Sequence, residues 1–259
     1  MIAKIDGFSK KSMACGRKCH EKYKISHGFL SQSSREIINS LSLSVNCSTL
    51  IMIKNIIFDF GGVIVDIDRS NAVQAFVKLG LANADRILDS YHQTGIFLSL
   101  EDGSLSELSY REKLGKLCGR TLTYEDVKQA WLAFISGVSL RKLRFLEILR
   151  TKGYHLYVLS NTNPYVMDWA DSLDFTTERK PLSYYFDKLY LSYRMGCTKP
   201  GEEIFRKTLD DAGLIPQETL FIDDSLANVN AGKRMGMEIY QPESGYDWTT
   251  TLSEMLQRV

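Results

Sequence analysis

Residues 54–65 read KNIIFDFGGVIV, an apolar run that is interrupted by one acid, Asp59, and by the adjacent glycines Gly61 and Gly62. A short apolar run of this kind is typical of a buried parallel strand that ends in a loop. Asp59 lies at the predicted end of the strand, where a buried carboxylate is costly without a partner or a cation. Taken alone, Asp59 could equally be a turn residue or a helix cap. Its role therefore depends on which other residues the fold brings near it.

The second half of the chain alternates between strands and helices. The predicted strands after the first are residues 155–159, 188–192, 220–222 and 238–240. Helical patterns lie between them, and this order favours a parallel sheet that is covered on both faces by helices. In such a fold the reactive groups gather in the loops beyond the carboxyl ends of the strands. The sequence therefore predicts an α/β protein whose core is formed by residues 52–68 and 141–259.

Residues 69–140 precede this alternation and read as an all-helical insert. The predicted helix starts are Ser70, Ser104 with Glu107 as a capping box, and Thr123 with Asp126 as a weaker capping box. A Ser or Thr side chain at such a position accepts a hydrogen bond from a free backbone amide of the first turn. Gly80 is expected to end the first of these helices, since glycine adopts the left-handed conformation of a C-cap without strain.

Composition and charge limit the class of partner. The chain has 259 residues, of which 44% are hydrophobic, and a net charge of +1. Residues 1–51 hold eight Lys and Arg against three Asp and Glu, so the remainder of the chain is mildly acidic. An acidic body has no general attraction for nucleic acid, and no apolar run reaches the roughly 18 residues that span a bilayer. We therefore expect a small-molecule partner, with no nucleic acid and no membrane.

Cysteine usage and the first residues of the chain concern its location. Five cysteines with irregular spacing argue against a disulfide framework and fit a reducing cytoplasm. Residues 1–51 are basic and rich in Ser, and they lack the continuous apolar stretch of a secretory signal. We expect these residues to lie outside the fold, as a disordered tail, a transit-like segment, or the product of a start codon upstream of the true one at Met52.

Unusual polar residues follow three further predicted strands, and they are Ser160-Asn161, Lys199 before Pro200, and Asp223-Asp224. Each has an ordinary explanation, as a turn, a surface lysine or a helix cap. Near Asp59, however, the two later acids would form a carboxylate cluster that demands a cation, and oxygen ligands of this kind suit Mg²⁺. A lysine there would neutralise phosphate charge, while hydroxyl and amide groups would donate to phosphate oxygens. The set therefore indicates a phosphate-handling site.

These segments, taken in chain order, resemble the motifs of a known family. Asp59-Phe60-Gly61-Gly62-Val63, Ser160-Asn161, Lys199-Pro200 and Asp223-Asp224 are similar to the four motifs of the haloacid dehalogenase-like superfamily, over residues 53–242. Each motif alone is weak, but four in order are specific. The resemblance implies a Rossmann-like core, and it identifies the helical insert with the cap that closes over the site in that family.

The resemblance also implies roles for single residues. Asp59 would be the nucleophile, and Lys199 would stabilise the charge of the transferring group. The magnesium ligands would be Asp59, the backbone carbonyl of Gly61, Asp224 and, beside it, Asp223. The phosphoryl group would be bound by Ser160, Asn161, Lys199 and Gly62.

Gly61 departs from the common pattern of that superfamily, in which many members carry a second aspartate that protonates the leaving group. General acid catalysis contributes about 10²- to 10⁴-fold in rate, so its loss favours esters that leave easily, such as an anomeric sugar phosphate, an acyl phosphate or an aryl phosphate. This variant of the motif also resembles a bacterial branch that includes glucose-1-phosphate phosphatases. Asp66, Asp68 or His92 could instead supply the acid, although each reads more simply as a loop or surface residue.

These features predict a magnesium-dependent phosphomonoester hydrolase that forms an aspartyl-phosphate intermediate on Asp59. Its substrate would be a small phosphorylated metabolite, such as an anomeric hexose phosphate. Tyr91, Phe97 and Trp131 could line the substrate pocket, or they could belong to the helical core.

Three alternatives stay open on the sequence. A 2-haloacid dehalogenase also uses an aspartate nucleophile but needs no metal, so the pair Asp223-Asp224 counts against it. A phosphoglucomutase needs an acid and a base for the sugar hydroxyl, which Gly61 does not provide. A binding or regulatory protein of the same fold is permitted by Gly61, but the retained Asp59 and Lys199 argue against it. Sensitivity to EDTA and an Asp59→Asn variant distinguish these classes.

Overall fold

The computed structural model describes residues 52–89 and 93–257. Its central strands are β1 (Asn55–Phe58), β4 (His155–Ser160), β5 (Lys188–Leu191), β6 (Thr219–Ile222) and β7 (Glu238–Tyr240). They form one five-stranded sheet in the order β5-β4-β1-β6-β7, in which every neighbouring pair is parallel. The prediction of an α/β fold with a Rossmann-like parallel core is confirmed.

Strand β1 lies in the middle of the sheet and is buried on both faces. All four of its residues are buried, and three of them are apolar. Successive side chains of a strand point to opposite faces. Accordingly Ile57 joins Phe221 in one hydrophobic cluster, whereas Phe58 joins Ile222 in the other. This double burial is the expected property of a central parallel strand.

Helices cover both faces of the sheet. They are α6 (Leu140–Thr151), α7 (Pro164–Ala170), α8 (Ser192–Met195), α9 (Glu202–Ala212), α10 (Leu226–Arg234) and α11 (Thr249–Gln257). Helices α9 and α10 pack on the face that bears Ile57, and α6, α7 and α11 pack on the face that bears Phe58. Within the described ranges, no helix has the length and apolar character that crossing a membrane requires.

Five described helices lie between two short antiparallel strands, β2 (Val65–Ile67) and β3 (Ile135–Val138). They are α1 (Arg69–Leu79), α2 (Ala84–Ile87), α3 (Gly95–Glu101), α4 (Glu107–Cys118) and α5 (Tyr124–Leu132), and we call residues 69–132 the helical insert. Its centre is aromatic: Phe76, Phe97, Tyr110 and Trp131 are buried, with ring centroids 5.3–6.3 Å apart. Phe97 is therefore a core residue of the insert.

Two of the predicted helix starts were wrong. Asp68, not Ser70, caps α1, and its carboxylate accepts from the backbone amides of Ser70 and Asn71 at 2.8 and 3.4 Å. An aspartate caps a helix as well as a serine does, so the helix begins at the earlier residue. Likewise Ser106, two residues after the predicted Ser104, caps α4.

The predicted insert of residues 69–140 is not helical throughout, because residues 135–138 form strand β3. Two other local signals in the insert were read correctly. Thr123 and Asp126 form a capping box at the start of α5, in which each side chain accepts from the other's backbone amide. Gly80 ends α1 in the left-handed conformation with φ 110°. Residues 1–51, Tyr91 and His92 lie outside the described residues, so the predictions made for them stay predictions.

Candidate active site

The site lies at the carboxyl ends of β1, β4 and β6. Phe58, the last residue of β1, is in register with Val158 on one side and with Ile222 on the other. Asp59 and Asp223 therefore follow the ends of two neighbouring strands and lie side by side. The Asp59 backbone amide donates to the Ile222 carbonyl at 2.8 Å. The structure brings together the predicted residues Asp59, Ser160, Asn161, Lys199, Asp223 and Asp224.

Lys199 is the cation at the centre of this group. Its side chain is 1% exposed, and its Nζ lies 2.9 Å from Asp59 Oδ1 and 2.6 Å from Asp223 Oδ2. Burial by itself would lower the pKa of Lys199, but the carboxylates of Asp223 and Asp59 outweigh burial and hold the pKa above its usual value. The ammonium group therefore stays charged and ties the two acids together.

Asn161 holds the backbone of Lys199 through both polar atoms of its side chain. Its Oδ1 accepts from the Lys199 backbone amide at 2.8 Å, and its Nδ2 donates to the Lys199 carbonyl at 2.9 Å. These two bonds join the end of β4 to the loop that precedes α9. The side chain of Asn161 is therefore a positioning group, and its contribution to phosphoryl binding stays a prediction.

Three carboxylates converge beside this lysine. Oxygen atoms of Asp59, Asp223 and Asp224 all lie within 4.8 Å of one another. Asp223 is fully buried, and it accepts from the Ser225 backbone amide at 2.9 Å and from Asn228 Nδ2 at 3.1 Å. By contrast, Oδ2 of Asp224 is buried and has no hydrogen-bond partner among the described residues.

The cluster holds three acids and one lysine, so the charge of Lys199 cannot compensate three ionised carboxylates. Burial raises the pKa of Asp59 to about 7, Lys199 opposes this rise, and the neighbouring Asp223 and Asp224 add to it. Burial also raises the pKa of Asp224. A protonated carboxyl is a poor nucleophile, so the site needs a further positive charge to keep Asp59 ionised at neutral pH.

These observations fit a magnesium ion. Hard oxygen donors of carboxylates are the ligands that Mg²⁺ takes in proteins, and the unpartnered Asp224 Oδ2 offers one directly. Asp59, Asp223 and Asp224 would hold the ion, together with the Gly61 carbonyl that the sequence predicts as a ligand.

Gly62 is required by the close approach of the loop after β1 to Asp224. Its φ is +73°, and a Cβ at this position would overlap Asp224 Oδ2 and lie 2.6 Å from Ser244 Oγ. Its amide donates to the Val65 carbonyl and its carbonyl accepts from Gly245, each at 2.8 Å. Because both backbone groups have partners within the chain, the predicted contact of Gly62 with substrate stays a prediction.

A small cavity of about 90 Å³ opens beside the site, between the strand ends and the helical insert. The core lines it with Phe60, Gly61, Ile67 and the run from Ser160 to Asn163, together with Val166. The insert lines it with Asp89, Gln93, Glu101 and Trp131, and Phe134 and Ile135 follow at the start of β3. Trp131, one of the predicted lining residues, therefore faces the cavity, whereas Phe97 does not.

Two of the residues that were considered as alternative acids have structural roles. Asp66 pairs with the buried Lys142, whose Nζ lies 3.1 Å from Asp66 Oδ1. Asp68 caps α1, and the hydrogen bonds from Ser70 lower its pKa. Neither residue lines the cavity.

Sequence reasoning missed several residues around the site. Asn228 and Ser225 both hold Asp223, and their position just after Asp223-Asp224 was a usable signal, since donors near a buried carboxylate are needed. Asn163 caps α7 and lines the cavity. Glu101 comes from the helical insert, and no local pattern in the sequence marks it.

Fold and site together define a hydrolase. The chain belongs to the haloacid dehalogenase-like hydrolase family, whose model matches residues 53–236. The predictions of the family and of an enzyme of the phosphatase class are confirmed.

Particular relatives are similar over nearly their whole length. A D-ribitol-5-phosphate phosphatase from Bacteroides thetaiotaomicron is 60% identical over 205 residues, which are 79% of this chain and 99% of that protein. The structure of a predicted HAD-like family hydrolase from Porphyromonas gingivalis is 41% identical, with a TM-score of 0.76, and the match covers 80% of this chain and 98% of that one.

A third relative bears on the metal. A HAD family enzyme from Bacteroides thetaiotaomicron, solved as a complex with magnesium and inorganic phosphate, is 34% identical with a TM-score of 0.70. The match covers 77% of this chain and 98% of that one. The prediction of Mg²⁺ as the cofactor is thereby confirmed.

Proposed function

We propose that this phosphatase hydrolyses a small phosphorylated polyol or sugar through an aspartyl phosphate formed on Asp59. The observation that carries the proposal is the contact of Lys199 Nζ with Asp59 at 2.9 Å and with Asp223 at 2.6 Å. A buried lysine between two carboxylates, beside a third, is arranged to neutralise a phosphoryl group while it is transferred.

The chain's own groups would prepare Asp59 for attack on phosphorus. Asp59 Oδ1 accepts from the Phe60 backbone amide at 2.6 Å and from Lys199 Nζ, and these two donors fix the orientation of the carboxylate. Ser160 lies at the cavity wall, where its hydroxyl would donate to a phosphoryl oxygen. Bound Mg²⁺ would supply additional neutralisation of the phosphoryl oxygens.

The proposed substrate class is supported by the relative that is 60% identical, whose name gives D-ribitol 5-phosphate as its substrate. That ester has a primary alcohol as its leaving group, unlike the anomeric, acyl and aryl phosphates that Gly61 favoured at the level of sequence. We therefore place phosphorylated acyclic polyols first and anomeric hexose phosphates second. The helical insert would act as the cap that selects between them, because Asp89, Gln93, Glu101 and Trp131 of the insert form part of the cavity wall.

The test is a substrate panel assayed with purified protein and Mg²⁺. We expect D-ribitol 5-phosphate to give a higher kcat/KM than glucose 1-phosphate, and Asp59→Asn to abolish release of phosphate from both. An Asp59→Asn variant that hydrolyses either ester as fast as the wild type would refute the nucleophile. A higher kcat/KM for glucose 1-phosphate would refute the preference for polyols.

The same assay separates the proposal from a metal-independent dehalogenase. The cation-demanding cluster of Asp59, Asp223 and Asp224 argues against that chemistry. We expect EDTA to abolish phosphate release and added Mg²⁺ to restore it. Release of halide from a 2-haloacid in the presence of EDTA would contradict the proposal.

A further inference from the structure

Glu101 is a buried acid that the proposed reaction has not yet used. It is the last residue of α3 in the helical insert, and it is 7% exposed. Glu101 lines the same cavity as Gly61, Ser160 and Asn161, and it comes from the helical insert whereas those three residues come from the core. A buried carboxylate is costly without a paired cation or hydrogen-bond donors, so burial favours the neutral carboxylic acid at this position.

The loop after β1 carries no acid at position 61, where many members of the family have the aspartate that protonates the leaving group. Gly61 carries no side chain, although the loop leaves room for one, since a Cβ at Gly61 would meet only Ile67 Cγ2 at 3.6 Å. A primary alkoxide is a poor leaving group, and its departure requires a proton. The two alternative acids within the described residues, Asp66 and Asp68, are held elsewhere.

The surroundings of Glu101 favour its neutral form. Burial raises the pKa of Glu101 to about 8, the negative charges of Asp59 and Asp102 add to the rise, and Lys199 opposes it. Tyr110 also lies within electrostatic range of Glu101, and Asp89 faces the same cavity. The largest cause of the raised pKa is burial of Glu101, so the way the protein packs around this carboxyl favours the protonated form at neutral pH.

We propose that Glu101 is the general acid of this enzyme and donates its proton to the leaving-group oxygen, in place of the residue that Gly61 does not supply. The inference rests on the proposed function, because it concerns the leaving group of the same phosphate ester.

The two steps balance as follows. In the first, an Asp59 oxygen forms a bond to phosphorus while the bond between phosphorus and the leaving oxygen breaks, and the Glu101 proton moves to that oxygen to give the alcohol. In the second, a water oxygen forms a bond to the phosphorus of the aspartyl phosphate while the bond between phosphorus and the Asp59 oxygen breaks, Glu101 takes a proton from the water, and inorganic phosphate is released. Asp59 is then again a carboxylate and Glu101 again a carboxylic acid.

The experiment compares leaving groups in the Glu101→Gln variant, which keeps the size of the side chain. The alkyl ester is D-ribitol 5-phosphate, and the ester that needs no acid is p-nitrophenyl phosphate. We expect kcat/KM for the alkyl ester to fall by about 10²-fold or more, as for the loss of a general acid, and kcat/KM for the aryl ester to change little. Glu112→Gln removes an exposed carboxylate from the same insert and should alter neither value.

A rescue variant keeps the proposal testable if Glu101→Gln also perturbs the insert. Gly61→Asp in the Glu101→Gln background should recover part of the alkyl-ester activity, because position 61 has room for a side chain. Equal losses for both esters without such recovery would overturn the acid role, and so would unchanged activity in Glu101→Gln.

The failure of the proposed function gives a different result. In that case wild type would hydrolyse neither ester, or Asp59→Asn would hydrolyse both at the wild-type rate, and the acid role would fall with it. With an active wild type and an inactive Asp59→Asn, the ratio of the two esters in Glu101→Gln tests Glu101 alone.

Discussion

Asn161 holds Lys199 by its backbone, with Oδ1 accepting from the Lys199 amide at 2.8 Å and Nδ2 donating to the Lys199 carbonyl at 2.9 Å. The pair links the end of one strand to the loop that carries Lys199. Lys199 then reaches Asp59 and Asp223 from a fixed origin. Asn161, Lys199, Asp59 and Asp223 are therefore connected in one polar network, and a change at Asn161 should alter the position of Lys199 relative to Asp59.

We expect Asn161→Ala to lower kcat by about 10- to 100-fold, the range typical of residues that orient a catalytic group. The physical reason is that the Lys199 backbone loses both of its side-chain hydrogen bonds, so Nζ is held less firmly between the two acids. Steady-state kinetics with Mg²⁺ measures the effect, and Asn230→Ala, on the exposed side of α10, is the matched control. A wild-type kcat in Asn161→Ala would show that Lys199 needs no such support.

The neighbouring glycines of the loop after β1 should respond differently to alanine. At Gly62 the positive φ and the overlap with Asp224 make any side chain costly, and the left-handed conformation alone costs about 1–2 kcal/mol. At Gly61 an added Cβ makes only an ordinary contact of 3.6 Å with Ile67. We expect urea unfolding to show a loss of at least about 1 kcal/mol for Gly62→Ala and almost none for Gly61→Ala. Equal losses would mean that the loop does not approach Asp224 as described.

Removal of magnesium should be visible in stability as well as in activity. The three acids repel one another without a cation, so Asp224→Asn should raise the melting temperature of the metal-free protein. Mg²⁺ at about 100 times its dissociation constant should stabilise the wild type by about 2.7 kcal/mol, and Asp224→Asn by much less. Asp210→Asn, an exposed aspartate of α9, should leave the response to Mg²⁺ unchanged. An undiminished response in Asp224→Asn would exclude Asp224 as a ligand.

Much of the core could be predicted because its signals are local. The strands around Phe58 and Ile222 are apolar on both faces, and that property alone favours a parallel sheet. In a parallel sheet the residues that follow each strand lie at one edge, and this rule alone predicts that Asp59 lies near Asp223. The capping box of Thr123 with Asp126 was likewise a local pattern, and the structure contains it.

What the sequence could not predict depends on how the insert packs on the core. Ser70 and Ser104 were credible helix starts, but the side chains of Asp68 and Ser106 accept hydrogen bonds from first-turn amides equally well, and the local pattern does not choose between them. Glu101 reads as an ordinary helical glutamate. Only the packing of α3 over the strand ends buries it at the cavity, and no spacing in the chain encodes that contact.

The pH dependence of the leaving-group effect should report the protonation of Glu101. Burial raises its pKa to about 8, so the neutral form that can donate a proton predominates below that pH and is lost above it. We therefore expect the ratio of kcat/KM for D-ribitol 5-phosphate to kcat/KM for p-nitrophenyl phosphate to be constant below about pH 8 and to fall about tenfold per pH unit above it. Ionisations that both esters share, including that of Asp59, cancel in this ratio. In Glu101→Gln the ratio should be low and independent of pH. A wild-type ratio that stays constant well above this pH, or the same fall in Glu101→Gln, would show that the proton comes from another group.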